Sequence, residues 1–312
     1  MSEIVQLLVF PGFIFLFCYA MFVEWFDRKV VALLQNRVGP PWFQPFADFI
    51  KLVGKEYIIP ERGRSVFFLL LPTTVLAVVL TTMVSIPIAN GNALFSFEGD
   101  ILVVTFLLST ISIALFLIGW ASNSPYTLVG GTRAISQMIS YEVPLLLSVL
   151  TPAILAGSWK IAEIAAFFRA HPALLLVQLV AFGIALIALQ AKLERVPFDI
   201  PEAETEIVGG TLAELTGRGL AFVHLAVDIE MVIGVTLLAN LFLGGFSATS
   251  TAIGLVEFFV KSLFIVFILT CMRSVVARFR IEQLVLICWH KLVPIALAQV
   301  VLAVIIKGWW LA

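Results

Sequence analysis

The sequence predicts an all-α integral membrane protein with eight transmembrane helices, an amphipathic surface helix, long cytoplasmic loops and both termini on the outer side. Three observations carry this. Of the 312 residues, 61% are hydrophobic and only 12% charged, with a mean hydropathy of +1.09; ordinary globular domains run at about 45–50% apolar and about 25% charged. The apolar residues form continuous runs that reach the roughly 20 residues a spanning helix needs. Those runs lack strict apolar–polar alternation, which selects helices over barrel strands. The same composition excludes a soluble enzyme and a disordered regulator, and a net charge of −1 lacks the basic footprint of a nucleic-acid binder.

The first span is predicted over residues 5–26. Met1-Ser2-Glu3 has no basic stretch and no small-residue cleavage site follows, so the segment reads as a retained span, not a signal peptide. The loop at 27–66 is basic, and in it Phe46, Phe49, Ile50 and Val53 fall at helical spacing, with Asp48, Lys51 and Lys55 on other faces. That is the pattern of a helix lying on the membrane surface. Further spans are predicted at 67–89, 101–121, 137–157 and 172–191, then an acidic loop at 192–218, then spans at 219–243, 254–274 and 285–306. Pro72, Pro87, Pro144 and Pro294 fall inside spans and predict kinks, which packed membrane helices tolerate. The loops after odd-numbered spans hold 14 Lys and Arg residues, whereas the even loops hold Lys160 and Arg169; this asymmetry puts the odd loops in the cytoplasm. Trp309 and Trp310 read as an interfacial anchor. No linker is visible, so residues 1–312 read as a single membrane domain.

Little in the chain can perform bond chemistry. Cys18, Cys271 and Cys288 stand singly with no C-x-x-C spacing, and His171, His224 and His290 are scattered, so no metal or iron–sulfur site is expected in this chain. No nucleophile–His–acid arrangement, P-loop or dinucleotide fingerprint occurs. What remains is acids. The loop at 192–218 carries Glu194, Asp199, Glu202, Glu204, Glu206 and Glu214. A helix starting after Pro201 would put Glu202 and Glu206 on one face, where like charges raise at least one proton affinity. The alternative is a solvated acidic surface helix.

In the sixth span Asp228 lies roughly 13 Å in from Gly219, near mid-membrane. An ionised acid there costs about 2.5–3.5 kcal/mol, so it should face a bundle interior or water. His224 is four residues earlier and within reach of Asp228; Glu230 is about 200° further round and cannot face the same cavity. A His–Asp pair that only fastens helices together is the alternative to a proton relay. Glu142 in span four has the same two readings. Glu24 with Arg28 reads as an interfacial i,i+4 pair.

Four stretches together resemble a known family. They are Asp27-Arg28-Lys29 through Gln35-Asn36-Arg37-Val38-Gly39-Pro40 with Gln44-Pro45-Phe46-Ala47-Asp48; Gly119-Trp120-Ala121-Ser122-Asn123-Ser124 with Gly130-Gly131-Thr132-Arg133-Ala134 and Gln137-Met138-Ile139-Ser140-Tyr141-Glu142; Arg195-Val196-Pro197-Phe198-Asp199-Ile200-Pro201-Glu202-Ala203-Glu204; and Arg278-Phe279-Arg280-Ile281-Glu282-Gln283-Leu284. Together they resemble the H subunit of NADH–quinone oxidoreductase (complex I) and its relatives in membrane-bound hydrogenases. The resemblance implies the heel of a membrane arm in the plasma (inner) membrane of a prokaryote. A hydrophilic redox arm would dock there, built of [NiFe]-hydrogenase-like and iron–sulfur subunits, with antiporter-like membrane subunits alongside. Iron–sulfur clusters and [NiFe] would belong to those partners and no redox centre to this chain.

Carried over by position, Asp27, Arg28, Arg37, Asp48, Arg195 and Asp199 would border the docking or quinone-like cavity. Glu142, Glu202, Glu204, Glu206 and Glu214 would form an acidic funnel that continues to His224, Asp228 and Glu230. One departure bears on the ligand. Only Pro41-Trp42-Phe43 separates Gly39-Pro40 from Gln44-Pro45, where quinone-dependent members carry a longer insert. That shortening resembles the ferredoxin-dependent hydrogenase, sulfur-reductase and formate hydrogenlyase relatives, several of which use no quinone. The resemblance therefore implies a non-catalytic coupling subunit of an ion-translocating oxidoreductase, with a hydrogenase or sulfane reductase favoured over a quinone-binding H subunit. A free-standing secondary ion transporter and a passive anchor for a redox arm are the rival expectations.

Overall fold

The structure, a computed structural model, describes residues 8–10, 12–59, 65–88, 93–247 and 250–310. Among them no β-strand occurs. The helices are α1 (Phe13–Leu34), α2 (Gln44–Gly54), α3 (Ser65–Val84), α4 (Asp100–Ala121), α5 (Pro125–Ala156), α6 (Ile161–Ala170), α7 (Leu174–Val177), α8 (Leu179–Lys192), α9 (Glu204–Ile207), α10 (Gly217–Phe242), α11 (Thr251–Val275), α12 (Ile281–Ile287) and α13 (Val293–Trp310). A 3-10 turn at Gly210–Leu212 precedes α10, and a π-helical turn at Cys288–Leu292 joins α12 to α13.

Six of these are long and apolar enough to cross a membrane: α3, α4, α5, α10, α11 and the continuous run from α12 to α13. Two predicted spans differ from that pattern. Helix α1 has 22 residues but includes Glu24, Asp27, Arg28 and Lys29. Helix α8 has 14 residues, or about 21 Å, against a hydrocarbon core of about 30 Å.

Helix α10 is the centre of the bundle. It packs against α1, α2, α3, α6 and α11, and every residue from 229 to 242 is buried. A helix apolar on all sides belongs inside. Its close crossing with α8 depends on Gly234, where an added Cβ would meet Leu189 Cδ1 at 2.5 Å. Helices α4 and α5 pack together on one side, and α5 also carries α8 and α13.

Several predicted boundaries shift for physical reasons. Helix α1 continues to Leu34 because its charged turn pairs internally and not with water. Helix α5 starts at Pro125 and takes in Gly130 and Gly131, predicted as loop; a Cβ on Gly130 would come 2.6 Å from the Thr211 backbone nitrogen, so the glycine serves packing. Helix α6 was not anticipated. Pro87 lies beyond the end of α3, and its carbonyl accepts from Asn240 Nδ2 at 3.0 Å. Pro294 follows the π-turn; lacking an N–H, it cannot bond the carbonyl of His290, and the helix widens there. Helix α2 forms where predicted, with Phe46 and Phe49 against Phe17 of α1 at 5.9 and 5.2 Å, while Ile50 is exposed.

Candidate functional site: a buried ionic network and two chambers

Arg195, just past the end of α8, ties three elements together. Its Nη1 donates to Asp27 Oδ2 at 2.8 Å, and its Nη2 donates to Glu24 Oε2 at 2.7 Å and Asp228 Oδ1 at 3.1 Å. From α11, Thr270 donates its hydroxyl to Asp27 Oδ1 at 2.7 Å, and Arg273 pairs with Asp27 as well. Arg28 bridges outward, from Glu24 Oε1 at 2.6 Å to Asp48 Oδ2 at 3.1 Å; Gln44 and Lys51 also donate to Asp48. Buried charges persist only when paired in this way. Burial pushes the Asp48 carboxyl up, but the bonds from Arg28 and Lys51 outweigh it and hold the group below its ordinary value. A cavity of about 320 Å³ opens beside the network, lined by Glu24, Arg28, Asp48, Lys51, His224 and Asp228 together with Met21, Phe49 and Leu52.

A second, smaller chamber of about 40 Å³ lies on the other side of His224, which lines both. Its walls include Ser112, Lys192, Glu194, Glu202, Thr211 and Glu230. That volume holds about one water molecule. Two buried oxygens on it, Glu230 Oε1 and Thr211 Oγ1, have no hydrogen-bond partner among the described residues. Asp228 and Glu230 thus line different chambers, as their angular separation on α10 requires. Lys192 is buried; its Nζ lies 3.4 Å from Ser109 Oγ, 3.9 Å from Glu142 Oε2 and 5.3 Å from the centre of the Tyr141 ring. Ser109 donates to Glu142 Oε1 at 2.6 Å, and Ser112 and Tyr141 share a hydroxyl–hydroxyl bond at 2.8 Å. Glu194 takes a left-handed backbone with φ +51°. Burial, reinforced by the charges of Glu202 and Glu230, pushes its carboxyl well above the ordinary value.

A third cavity, of about 270 Å³, is more peripheral. There Arg133 pairs with Glu206 at 2.7 Å and Arg278 with Asp199 at 2.9 Å. The shared helix face expected for Glu202 and Glu206 does not form. Helix α9 has four residues and begins after Glu202, and left-handed backbone at Val208 and Gly209 ends it. Glu202 therefore points to the small chamber, while the Glu206 side chain is 60% exposed. Glu214 is half-buried beyond the 3-10 turn and Arg37 is exposed; neither lines these cavities. The side chain of Glu204 lies outside the described residues. No group of three or more His, Cys, Asp and Glu among the described residues is placed to hold a metal ion.

A family model described as NADH dehydrogenase matches residues 6–304. The chain belongs to this family, that of the complex I H subunit. The NADH-quinone oxidoreductase H subunit of Carboxydothermus hydrogenoformans is 34% identical over 295 residues, covering 92% of this chain and 84% of the relative. The H subunit of Thermomicrobium roseum is 35% identical over 315 residues, covering 92% and 91%. A chain of the membrane-bound sulfane sulfur reductase, an archaeal respiratory membrane complex, superposes with a TM-score of 0.84 at 25% identity, covering 93% of this chain and 96% of its own.

This member of the H-subunit family brings Asp27, Arg28, Asp48, Arg195 and Asp228 into one network, and it sets Asp199 apart against Arg278. His224 does not bond Asp228; Arg195 takes that carboxylate instead. The structure adds Lys192, Thr270 and Arg273 to the site and singles out Glu194 among the six loop acids. A cation beside a helix end looks solvated in the sequence; packing buries Lys192 and brings Arg273 onto Asp27. Glu24, taken for an interfacial pair with Arg28, is buried and also bonded to Arg195.

Proposed function

We propose that this membrane protein couples redox chemistry to ion movement in a complex I-related respiratory complex. The loops at 27–66 and 192–218 receive a peripheral redox arm, and the buried acids pass protons or charge displacement toward ion-pumping subunits. The observation that carries this is the pair of chambers meeting at His224. The proposed path runs from Asp48 and Arg28, through Glu24, Asp27, Arg195 and Asp228, across His224 to Glu202, Glu194, Glu230 and Glu142, with Glu206 and Glu214 toward the loop side. A redox arm shifts this chain only if it interacts differently with two of its states. The loop that carries Arg195 and Glu202 is where such a difference would act, since it holds ligands of both chambers. A passive anchor has no use for a polar chamber walled by Lys192, Glu194, Glu202 and Glu230, since enclosing ionisable groups costs stability and contributes nothing to fastening.

The arrangement is read as one domain of eight spans with both termini outside, in a prokaryotic plasma membrane. The excess of Lys and Arg in odd loops supports the orientation. The length of α1 and the continuity of α7 with α8 support the two spans that composition alone does not count. The sulfane reductase likeness and the short Pro41-Trp42-Phe43 connection favour a hydrogenase or sulfane reductase, with [NiFe]-like and iron–sulfur partners and antiporter-like neighbours. The test is Glu202→Gln in the complex reconstituted into vesicles. Ions moved per electron should fall by about tenfold or more while the complex stays assembled; an unchanged ratio refutes the relay.

One observation favours a second reading. The Carboxydothermus and Thermomicrobium relatives belong to NADH-quinone oxidoreductases, and the 320 Å³ cavity admits a quinone headgroup. Arg28 and His224 would donate to its carbonyl oxygens, and Met21, Phe49 and Leu52 would contact the ring. Bound there, a quinone would accept electrons from the redox arm. Inhibition of turnover by a quinone-site inhibitor, lost in Phe49→Ala, would decide for it.

A further inference from the structure

We infer that Lys192 is a charge switch, a buried ammonium that changes partner between Glu142 and Glu230 as a proton moves the other way. This rests on the coupling role proposed above. The ammonium has three donors to satisfy. In the structure it has one long contact to Ser109 Oγ at 3.4 Å, a loose approach to Glu142 Oε2 at 3.9 Å and the Tyr141 ring face at 5.3 Å. A lysine fixed as a rivet would sit within ordinary hydrogen-bond distance of its carboxylate. Both candidate partners have an oxygen to spare, since Glu142 Oε2 and Glu230 Oε1 are each buried without a hydrogen-bond partner. They stand on different helices, α5 and α10, and Lys192 shares the small chamber with Glu230.

The groups facing this ammonium are Ser109 and Ser112 from α4, Tyr141 and Glu142 from α5, Glu230 and His224 from α10, and Glu194 and Glu202 from the following loop. In one state Lys192 pairs with an ionised Glu142 while Glu230 carries a proton. In the other, that proton has left Glu230 for a chamber water and reached Glu142 along the Lys192–Ser109–Glu142 contacts that lead out of the chamber, and the ammonium pairs with the ionised Glu230. The trio is neutral in both states, so neither leaves an uncompensated charge in the bundle. Lys192 ends α8 three residues before Arg195. A shift of that loop under a redox arm therefore acts on both the Arg195 network and the switch.

The experiment uses the assembled complex in vesicles, with reduced ferredoxin as donor and protons or polysulfide as acceptor. Ion movement is read by a pH-gradient dye and by radiosodium uptake. Lys192→Met should cut the ions moved per electron by about tenfold or more, and adding Glu142→Gln should not restore them. A wild-type ratio in Lys192→Met overturns the switch, and so does full recovery in the double variant, which is what a rivet predicts. Infrared difference spectra of the unmodified complex on reduction give a second readout that needs no folded variant. One protonated carboxyl band should disappear as another appears, and absence of such a pair overturns the proposal. If Glu202→Gln uncouples the complex and Lys192→Met does not, the switch fails alone; if neither does, the coupling role fails with it.

Discussion

Arg195, with its side chain 12% exposed, satisfies three carboxylates at once, those of Glu24, Asp27 and Asp228. Removing one partner of a buried ionic group costs about 3–5 kcal/mol, since the remaining charges stay uncompensated. Arg195→Gln should therefore lower the melting temperature of the purified complex or stop its assembly. Arg195→Lys, a single point donor in place of a planar fork, should fall between it and the wild type. Glu194 makes a separate prediction. Burial first, then the charges of Glu202 and Glu230, raise its proton affinity in the folded chain above that of the unfolded one. The stability this proton contributes is present below about pH 4 and is lost as pH rises through the folded value. A protonated-carboxyl infrared band should persist well above pH 4 and vanish in Glu194→Gln. Of these residues Asp228 was legible from sequence, since an acid in an apolar run is costly wherever it sits. Arg195 was legible only through a family motif, and Glu194 only as one loop acid among six.

Helix α2 hangs on two kinds of contact, the Phe46 and Phe49 rings on Phe17 and the Asp48 bonds to Arg28, Gln44 and Lys51. With its carboxyl held below the ordinary value, Asp48 stabilises the docked helix at neutral pH and loses that effect as pH falls below about 4. Protection of the amides over Gln44–Gly54, taken relative to their intrinsic exchange rate at each pH, should fall there in the wild type and be low at all pH values in Asp48→Asn. The 3-10 turn at Gly210–Leu212 is held equally locally. Gly130→Ala on α5 would push into the Gly210 and Thr211 backbone, at a cost of about 1–3 kcal/mol for overpacking. Its sign is a lower melting temperature together with weaker coupling, because Thr211 and Glu202 line the small chamber. The periodicity of apolar residues indicated that α2 exists. It could not indicate that α9 stops after four residues, since the left-handed turn at Val208 and Gly209 is set by how the loop packs under α5.

For the whole molecule, the proposed eight-span arrangement is tested by cysteine-accessibility labelling, which should find the 27–66 and 192–218 loops on one side and α6 with both termini on the other. Finding either α1 or α8 unspanned would remove one of the eight, and finding both unspanned would leave six. The chain should leave the membrane in mild detergent together with iron–sulfur polypeptides; recovery as a lone protein or homo-oligomer would favour a transporter instead.

The sequence by itself determined the all-helical membrane class, six of the apolar helices long enough to cross a membrane, the likeness to the H-subunit family and the presence of costly acids in an apolar chain. All of these follow from composition and local order. Tertiary structure alone decided which acids share a chamber, that Arg195 and not His224 holds Asp228, and that Lys192 is buried beside Glu142 on a wall of the chamber that Glu230 also lines. Those are contacts between helices far apart in the chain. Helical periodicity places a side chain on a face but carries no information about which other helix that face will meet.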